Sequence, residues 1–420
     1  MSEQNNHRRH HVPKQVEDIV LENENGFDID WDSIEQNVET SRRRKHSRRH
    51  SSSAKNKTPS NDNASVTSLK HSVSVTSEHK KKKIGIKKIL FIILSVILAI
   101  IIGLAIAFAL LRYSGKKKLF DNKNLNIQTI DDASTDNRGK TVVYNGKTYE
   151  FNPYVTSILF IGVDKESLDL VDNVIGTAGQ ADALYLLAYN ATSGSVKVIS
   201  ISRDTLVDVN TYTTTGDYAG VKNTQICLSY AYGDGKNLSA ENVLTSVRRM
   251  MFNIPINSYL AMDLKAIGKL NDDIGGVSLK SLTTIGEDFK EGEEILIKGD
   301  LAEKYVRYRD TNVLDSNNDR MARQQQYLNA FTGKLVTATK NDITTPVKLL
   351  NDSSDYVITN FDTSRITYLA SSIIPNYSGL DIIGVPGEIK KDKNDERAIF
   401  IPDEKSLYEI LLEVYYTPVD

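Results

Sequence analysis

An uncharged apolar run of 23 residues, Ile89 to Leu111, divides this 420-residue chain into two unlike parts. At about 1.5 Å per helical residue, such a run crosses a bilayer hydrocarbon core of about 30 Å. It lies 88 residues into the chain, too deep for a cleaved signal peptide, which favours an uncleaved signal anchor. The sequence therefore predicts a tail at 1–88, a single membrane span at 89–111 and a folded region after it.

The two parts differ in charge. Residues 1–88 carry 18 basic and 12 acidic side chains, whereas residues 113–420 carry 33 basic and 42 acidic ones. The tail is rich in Ser, Asn, Arg and Lys with few apolar residues, so we expect it to be disordered. Its basic bias favours a cytoplasmic N-terminus and an extracellular folded part. The acidic balance after the span argues against nucleic acid binding there, and no partner of the tail is indicated.

After the span, the pattern predicts a polar stem at 112–140 and one α/β domain at 141–420. Asn145-Gly146 between alternating segments predicts a hairpin at 141–149. The segments 157–162, 183–188 and 196–201 are apolar enough to be strands of a sheet covered on both faces. The remaining predicted elements are helices at 239–252, 262–273, 318–337 and 404–416, and strands at 356–359 and 382–385.

The side chains available to the folded part narrow its chemistry. All seven histidines precede residue 80, which excludes Ser-His-Asp chemistry, Cys-His chemistry and histidine-ligated metals beyond the span. Cys227 is the only cysteine, so an intramolecular disulfide is excluded as well. Carboxylates, guanidinium groups, ammonium groups and hydroxyls remain. Such groups hold magnesium and clamp a phosphoryl group.

Four arginines lie within residues 307–323, with few acidic neighbours: Arg307, Arg309, Arg320 and Arg323. This density of fixed positive charge predicts a multiply charged anion, with phosphate the leading candidate. Residues 304–308 read as a short strand that would project Arg307 and Arg309 from one face. The first turn of the helix at 318–337 would present Arg320, Arg323 and Gln324 together, at the positive end of its dipole. The alternative is a solvated, salt-bridged face.

Further charged residues come just after predicted strands. Asp164 follows the first central strand, Arg203 and Asp204 follow the third, and Asp182 opens the second. Because ligands of α/β sheets gather at the carboxyl ends of strands, this placement predicts a site, although ordinary loop polarity is the alternative for any one of them. Asp164 and Asp182 would jointly hold a magnesium ion.

These residues resemble the LytR-CpsA-Psr (LCP) family, whose members act in Gram-positive cell envelopes. The resemblance covers about residues 155–337 and weakens towards the C-terminus. Its blocks are Ile158-Leu-Phe-Ile-Gly-Val-Asp164, Ala181-Asp182, Ser202-Arg-Asp-Thr205, Lys222-Asn223 with Ser229-Tyr-Ala-Tyr-Gly233, Ile274-Gly-Gly-Val277, Tyr305-Val-Arg-Tyr-Arg309, and Arg320 with Arg323-Gln-Gln325.

The resemblance implies an extracellular α-β-α domain around a mixed sheet, anchored by one membrane helix. It implies a phosphotransferase that moves an anionic glycopolymer, such as a teichoic acid or capsular polysaccharide, from undecaprenyl pyrophosphate to peptidoglycan. Asp164 and Asp182 would bind Mg²⁺. The implied pyrophosphate-binding residues are Arg203, Arg307, Arg309, Arg320, Arg323 and Gln324. Asp204 or a metal-linked aspartate would take the acceptor proton.

Three positions depart from the family pattern. Gln180 stands where an arginine is usual, Ser202 replaces a proline, and Asn317 replaces an aspartate, with Asp315 and Asp319 close by. Two other functions use the same residues. One is an envelope sensor that binds polyprenyl phosphates without turnover, and the other is a polyprenyl pyrophosphatase with water as acceptor.

Overall fold

The computed structural model describes residues 85–419, apart from 123–124, 167, 169–175, 311–315 and 393–396. The side chains of residues 316–318 also lie outside the description. The expected disordered tail is therefore outside the described residues, except for its last four positions. The side chain of Asn317 and the neighbouring Asp315 are likewise outside the description.

The described residues form an alternation of strands and helices. The strands are β1 (Ala133–Asp136), β2 (Thr141–Tyr144), β3 (Lys147–Phe151), β4 (Val155–Val163), β5 (Ala181–Asn190), β6 (Val196–Ile201), β7 (Leu206–Tyr212), β8 (Tyr218–Gln225), β9 (Ser258–Met262), β10 (Val277–Lys280), β11 (Glu294–Ile297), β12 (Val357–Thr359), β13 (Asp381–Gly384), β14 (Gly387–Lys391), β15 (Ala398–Pro402) and β16 (Tyr416–Val419). The helices are α1 (Ile86–Leu119), α2 (Leu228–Ala231), α3 (Asn237–Met250), α4 (Leu264–Asp273), α5 (Asp300–Arg307), α6 (Ser316–Asn341), α7 (Thr345–Asp352), α8 (Thr363–Ile373) and α9 (Glu404–Tyr415).

A six-stranded mixed sheet in the order β12-β9-β4-β5-β6-β13 forms the centre of the domain. β4 pairs in parallel with β9 and β6 pairs in parallel with β13, whereas β5 runs antiparallel to both of its neighbours. The carboxyl ends of β4 and β6 therefore lie at the same edge as the start of β5. The predicted α/β architecture with a mixed sheet is confirmed.

Alternation along β5 explains why helices cover both faces of this sheet. Leu184 and Leu186 join the main core, which also contains side chains of α3 and α9. Leu187 and Tyr189 point to the other face, where they pack with the end of α1 and with α8. Because successive side chains of a strand point to opposite faces, an almost continuously apolar strand requires cover on both sides.

The predicted hairpin is formed by β2 and β3, with Asn145 and Gly146 at φ values of 50° and 75°. Positive φ at both turn positions is what this dipeptide favours. The hairpin belongs to a second, four-stranded antiparallel sheet in the order β1-β2-β3-β16. The C-terminal strand therefore closes a sheet that begins before residue 141.

The predicted span lies inside α1, a helix of 34 residues. Its most apolar stretch has a mean hydropathy of 3.4, so by length and composition it is able to cross a membrane. The helix continues past the apolar run, and its last turns contact α8. A Cβ on Gly115 would lie 2.0 Å from the carbonyl oxygen of Ser364, while Lys118 forms an ion pair with Asp362.

The segment expected to be a polar stem differs from that expectation. Leu119, Leu125, Ile127 and Ile130 are each at most 6% exposed and contribute to the cores of the domain. Their polar neighbours make the segment hydrophilic on average, which conceals the separate apolar positions. The folded domain therefore begins at the end of α1, about two turns after the apolar run, and not at residue 141.

Candidate functional site

Two aspartates and one arginine meet at the edge of the central sheet where β4 and β6 end. Asp164 directly follows β4, and its N–H donates to the carbonyl of Gln180 at 2.9 Å. Asp182 is the second residue of β5, and Arg203 follows β6. The antiparallel position of β5 between β4 and β6 therefore brings these segments together, as the sequence predicts.

The guanidinium group of Arg203 connects this cluster. It lies 2.5 Å from the Asp182 carboxylate and 3.8 Å from Asp204. It also donates to the side-chain oxygen of Gln180 and lies 3.8 Å from the Cys227 sulfur. Burial lowers the pKa of Arg203, but the neighbouring carboxylates outweigh it and the net pKa is raised. Arg203 is therefore a fixed cation held in one orientation.

The surroundings of Asp182 disfavour the charged form of its carboxyl group. Burial raises its pKa, Arg203 opposes this, and the Asp164 carboxylate adds to the rise, with a raised pKa as the net result. The Oδ2 atom takes the ion pair with Arg203, whereas the buried Oδ1 atom has no hydrogen-bond partner among the described residues. A buried acceptor without a partner is costly, and a water molecule or a cation would satisfy it.

Asp204 is a second, partly buried carboxylate of the site. Burial raises its pKa, while Arg203, Arg320 and Arg309 lower it, and the net pKa is raised. Its Oδ1 atom accepts from Gln225 Nε2 at 2.9 Å. A carboxylate with a raised pKa beside cations accepts a proton more readily than an ordinary aspartate.

Arg307 lies on a helix, so the prediction of a strand at 304–308 is wrong. It ends α5, whose buried Ala302, Tyr305 and Val306 follow a helical spacing. Alternation of Tyr and Arg suggested a strand, but the apolar spacing of the longer segment determines the structure. Arg307 lies 3.3 Å from Asp164 and 2.7 Å from Glu303, one turn earlier.

Arg309 and Arg320 complete the positive cluster around the aspartates. Burial lowers the pKa of Arg320; Asp182 opposes this, and the positive charges of Arg309 and Arg203 lower it further. Arg309 and Arg320 also both lower the pKa of Asp204. Mutual repulsion among neighbouring guanidinium groups favours the binding of an anion between them.

Arg323 and Gln324 have different surroundings from those predicted. Arg323 is 3% exposed, and its guanidinium donates to the carbonyl groups of Tyr305 and Tyr308 at the end of α5. Gln324 donates to the carbonyl of Val306 at 3.2 Å and accepts from the hydroxyl of Tyr185 at 3.1 Å. Both side chains connect α6 to neighbouring elements, which positions Arg307 and Arg320.

Carboxylates are the side chains of this site that could bind the expected magnesium ion. Within the described residues, no group of three or more His, Cys, Asp or Glu side chains is arranged to hold a metal. The two carboxylates expected to bind the ion are Asp182, whose Oδ1 atom has no hydrogen-bond partner among the described residues, and Asp164 beside it. Hard oxygen donors from one or two carboxylates suit Mg²⁺, which keeps water and phosphate oxygens in its other positions. The residues therefore fit this ion.

Sequence reasoning missed three side chains of the site. Glu303 pairs with Arg307, Gln225 holds Asp204, and Tyr185 contacts Gln324. The i, i+4 spacing of Glu303 and Arg307 was a usable signal once a helix was considered. Gln225 and Tyr185 are distant in sequence from their partners, so local patterns gave no indication. Of the departures, Gln180 accepts a hydrogen bond from Arg203, and Ser202 Oγ accepts from the N–H of Asp204 at 3.3 Å.

The chain belongs to the LytR-CpsA-Psr family, because the LytR_cpsA_psr family model matches residues 122–414. A similar protein is the Bacillus cereus polyisoprenyl-teichoic acid–peptidoglycan teichoic acid transferase TagU, at 26% identity over 76% of this chain and 93% of that protein. The protein of the same name from Oceanobacillus iheyensis is 25% identical, with 53% of this chain and 63% of that protein covered.

Solved structures show the same fold. The Streptococcus agalactiae protein gbs0355 matches with a TM-score of 0.50 and 19% identity, over 62% of this chain and 86% of that one.

Proposed function

We propose that this protein is a membrane-anchored phosphotransferase that joins an anionic glycopolymer to peptidoglycan. The observation that carries the proposal is the cluster of guanidinium groups around two partly buried aspartates at the sheet edge. Similar proteins named as polyisoprenyl-teichoic acid–peptidoglycan teichoic acid transferases support it. The donor would be a polyprenyl pyrophosphate that carries the glycopolymer, with undecaprenol as the lipid and a teichoic acid or capsular polysaccharide as the cargo.

The arginines would bind the pyrophosphate. Arg203, Arg309 and Arg320 already interact electrostatically with the aspartates of the site, and their guanidinium groups repel one another. Phosphate oxygens bound between these groups would replace that repulsion with attraction. Arg307 would leave its exposed pair with Asp164 for the same anion. A hydroxyl of the acceptor attacks the phosphorus attached to the glycan, the bond to the bridging oxygen breaks, and polyprenyl phosphate leaves.

Asp204 is the proposed acceptor of the hydroxyl proton. The hydrogen bond from Gln225 holds the Asp204 carboxylate in place for this step. Its raised pKa favours acceptance of the proton. Asp164 and Asp182 would hold Mg²⁺, which supplies positive charge to neutralise the pyrophosphate. Because the released Asp164 carboxylate and the Oδ1 atom of Asp182 would both face that ion, substrate and metal binding would support each other.

The basic bias of the tail supports a cytoplasmic N-terminus, with the domain on the extracellular side of the membrane. The lipid carrier and the site would then share one membrane surface.

The charge of Arg307 provides a direct test. In full-length protein in liposomes, Arg307→Met should reduce release of polyprenyl phosphate from the glycan-linked donor by about a hundredfold, as loss of one donor to developing charge does. Lys304→Met is the matched control, because Lys304 is an exposed cation one turn earlier on α5, paired with Asp288. Equal rates for both variants would refute the assignment of Arg307.

Adding a metal chelator should also stop release, and full activity in its presence would refute the magnesium proposal.

A further inference from the structure

A cavity of about 410 Å³ opens beside the β7–β8 hairpin, separate from the arginine cluster. Its wall includes side chains from the hairpin, from α3, from the segment before β1 and from the end of β15. They include Gln128, Leu206, Asp208, Asn223 and Pro402. None of these residues takes part in the proposed phosphoryl transfer.

The cavity and the residue that holds Asp204 lie along one face of the hairpin. Leu206 pairs with Gln225, and Asp208 pairs with Asn223, so these four side chains share a face. Gln225 donates to Asp204 at 2.9 Å, and Asn223 donates to Asp208 at 3.0 Å. Residues two apart on a strand are separated by about 7 Å, so Asn223 in the cavity wall lies one such step from Gln225, which contacts the proposed proton acceptor.

The charges of the cavity do not suit a phosphate. Its acidic side chains are Asp208 and Glu404, and Arg249 is the basic one among the described lining residues. The Arg249 guanidinium donates to the Asp208 carbonyl at 3.0 Å and to the Asn210 side chain at 2.9 Å. A phosphate-rich glycopolymer would therefore meet net negative charge here, with the one cation already engaged.

The lining does suit a neutral sugar. Gln128 and Asn223 supply amide groups for hydroxyl and acetamido partners. Leu206 and Pro402 supply partly exposed apolar surface against which the C–H face of a pyranose ring packs. The lining combines polar groups with apolar patches, as a sugar requires, and the cavity volume lies within the range of about 300 to 1,000 Å³ that is usual for ligand sites.

We propose that this cavity binds the neutral, acetamido-bearing glycan chain of the acceptor. Sugars seated in the cavity would place the next hydroxyl of the chain beside Asp204, one step along the hairpin face. The occupant rests on the proposed function, since that function requires a glycan acceptor. The donor would approach the arginine cluster, and the two substrates would meet at Asp204.

The test introduces a bulky residue into the wall. Asn223→Trp fills the cavity from β8, and Pro402→Trp fills it from β15. Val221→Trp is the matched control, because Val221 lies two residues from Asn223 on the same strand and is 49% exposed without lining the cavity. Tryptophan is well tolerated in strands, so the β8 variants should fold, and thermal unfolding would verify this.

Binding is measured on the full-length protein in detergent with a β-1,4-linked tetramer of N-acetylglucosamine. We expect both cavity variants to weaken binding by at least about tenfold, or about 1.4 kcal/mol, with Val221→Trp unchanged. In transfer assays, the cavity variants should raise the KM for peptidoglycan fragments while leaving the KM for the polyprenyl pyrophosphate donor unchanged.

Absent binding to the wild-type protein, or equal binding by all variants, would overturn the inference. Tetramer binding that depends on the cavity, in a protein without transfer activity, would sustain the inference and refute the proposed function. Transfer with an unaltered KM in the cavity variants would refute the inference alone.

Discussion

Asp182→Asn is the substitution that separates catalysis from stability most clearly. The amide has nearly the same shape as the carboxylate, and its oxygen can still accept from Arg203, 2.5 Å away in the wild-type protein. It removes the negative charge that would bind Mg²⁺ through the unpartnered Oδ1 atom. Removing one such electrostatic group from a phosphoryl-transfer site should reduce the rate by about 10² to 10³, or roughly 3 to 4 kcal/mol.

The stability of this variant should change little, because two contributions oppose each other. The ion pair with Arg203 is lost, but both side chains are about a quarter exposed, so solvent screening keeps this loss to about 1 kcal/mol. The cost of burying an ionised carboxylate is also lost, and that cost is what raises the pKa of Asp182. A net change within about 1 kcal/mol shifts the Tm by roughly 2 to 4 °C.

The pH dependence of the same variant has a definite sign. A carboxyl whose folded-state pKa is raised binds more protons in the folded than in the unfolded state, so its contribution to stability falls as pH rises through the folded-state pKa. The wild-type protein loses this stability as pH rises, whereas Asp182→Asn has no titrating group at this position and does not. The Tm of the variant should therefore gain on that of the wild type as pH rises from about 4 to neutrality. A variant that unfolds, or one that keeps full activity, would refute the reasoning.

Two further predictions concern stability. Arg323→Ala removes a 3% exposed guanidinium and its bonds to two backbone carbonyls, so it should lower the free energy of unfolding by about 2 to 4 kcal/mol in thermal unfolding. Lost activity with an unchanged Tm would instead assign Arg323 to substrate binding. Gly115→Leu should destabilise the full chain in detergent by about 1 to 3 kcal/mol, because a Cβ there would lie 2.0 Å from a carbonyl oxygen of α8. Gly103→Leu is its control, since nothing lies within 4 Å of a Cβ at that position, and equal Tm values for the two variants would contradict the docking of α1.

The main architecture was predictable because its elements follow strong local patterns. The apolar runs that became β4, β5 and β6 and the Asn145-Gly146 turn each carry enough local information to be identified. Their placement at one sheet edge followed from a general property of α/β folds. The proximity of Asp164, Asp182 and Arg203 was therefore predictable from sequence alone.

The contacts that define individual roles were not predictable in the same way. Arg323 and Arg320 both lie in the first turns of one helix. Arg323 donates a hydrogen bond to a carbonyl group of α5, whereas Arg320 interacts electrostatically with Asp182. The difference arises from the position of α5, which depends on tertiary packing. Likewise, buried Leu125 and Ile127 are separated by polar residues, so composition alone indicated a stem.

The most direct test follows the product of the full-length protein in liposomes. A polyprenyl pyrophosphate donor with a labelled glycan is incubated with Mg²⁺ and peptidoglycan fragments, and the linkage is read by phosphorus NMR. The account predicts a phosphodiester between the glycan and the acceptor, with polyprenyl phosphate released in equal amount. Release of the glycan phosphate into water, or tight donor binding without turnover, would contradict it.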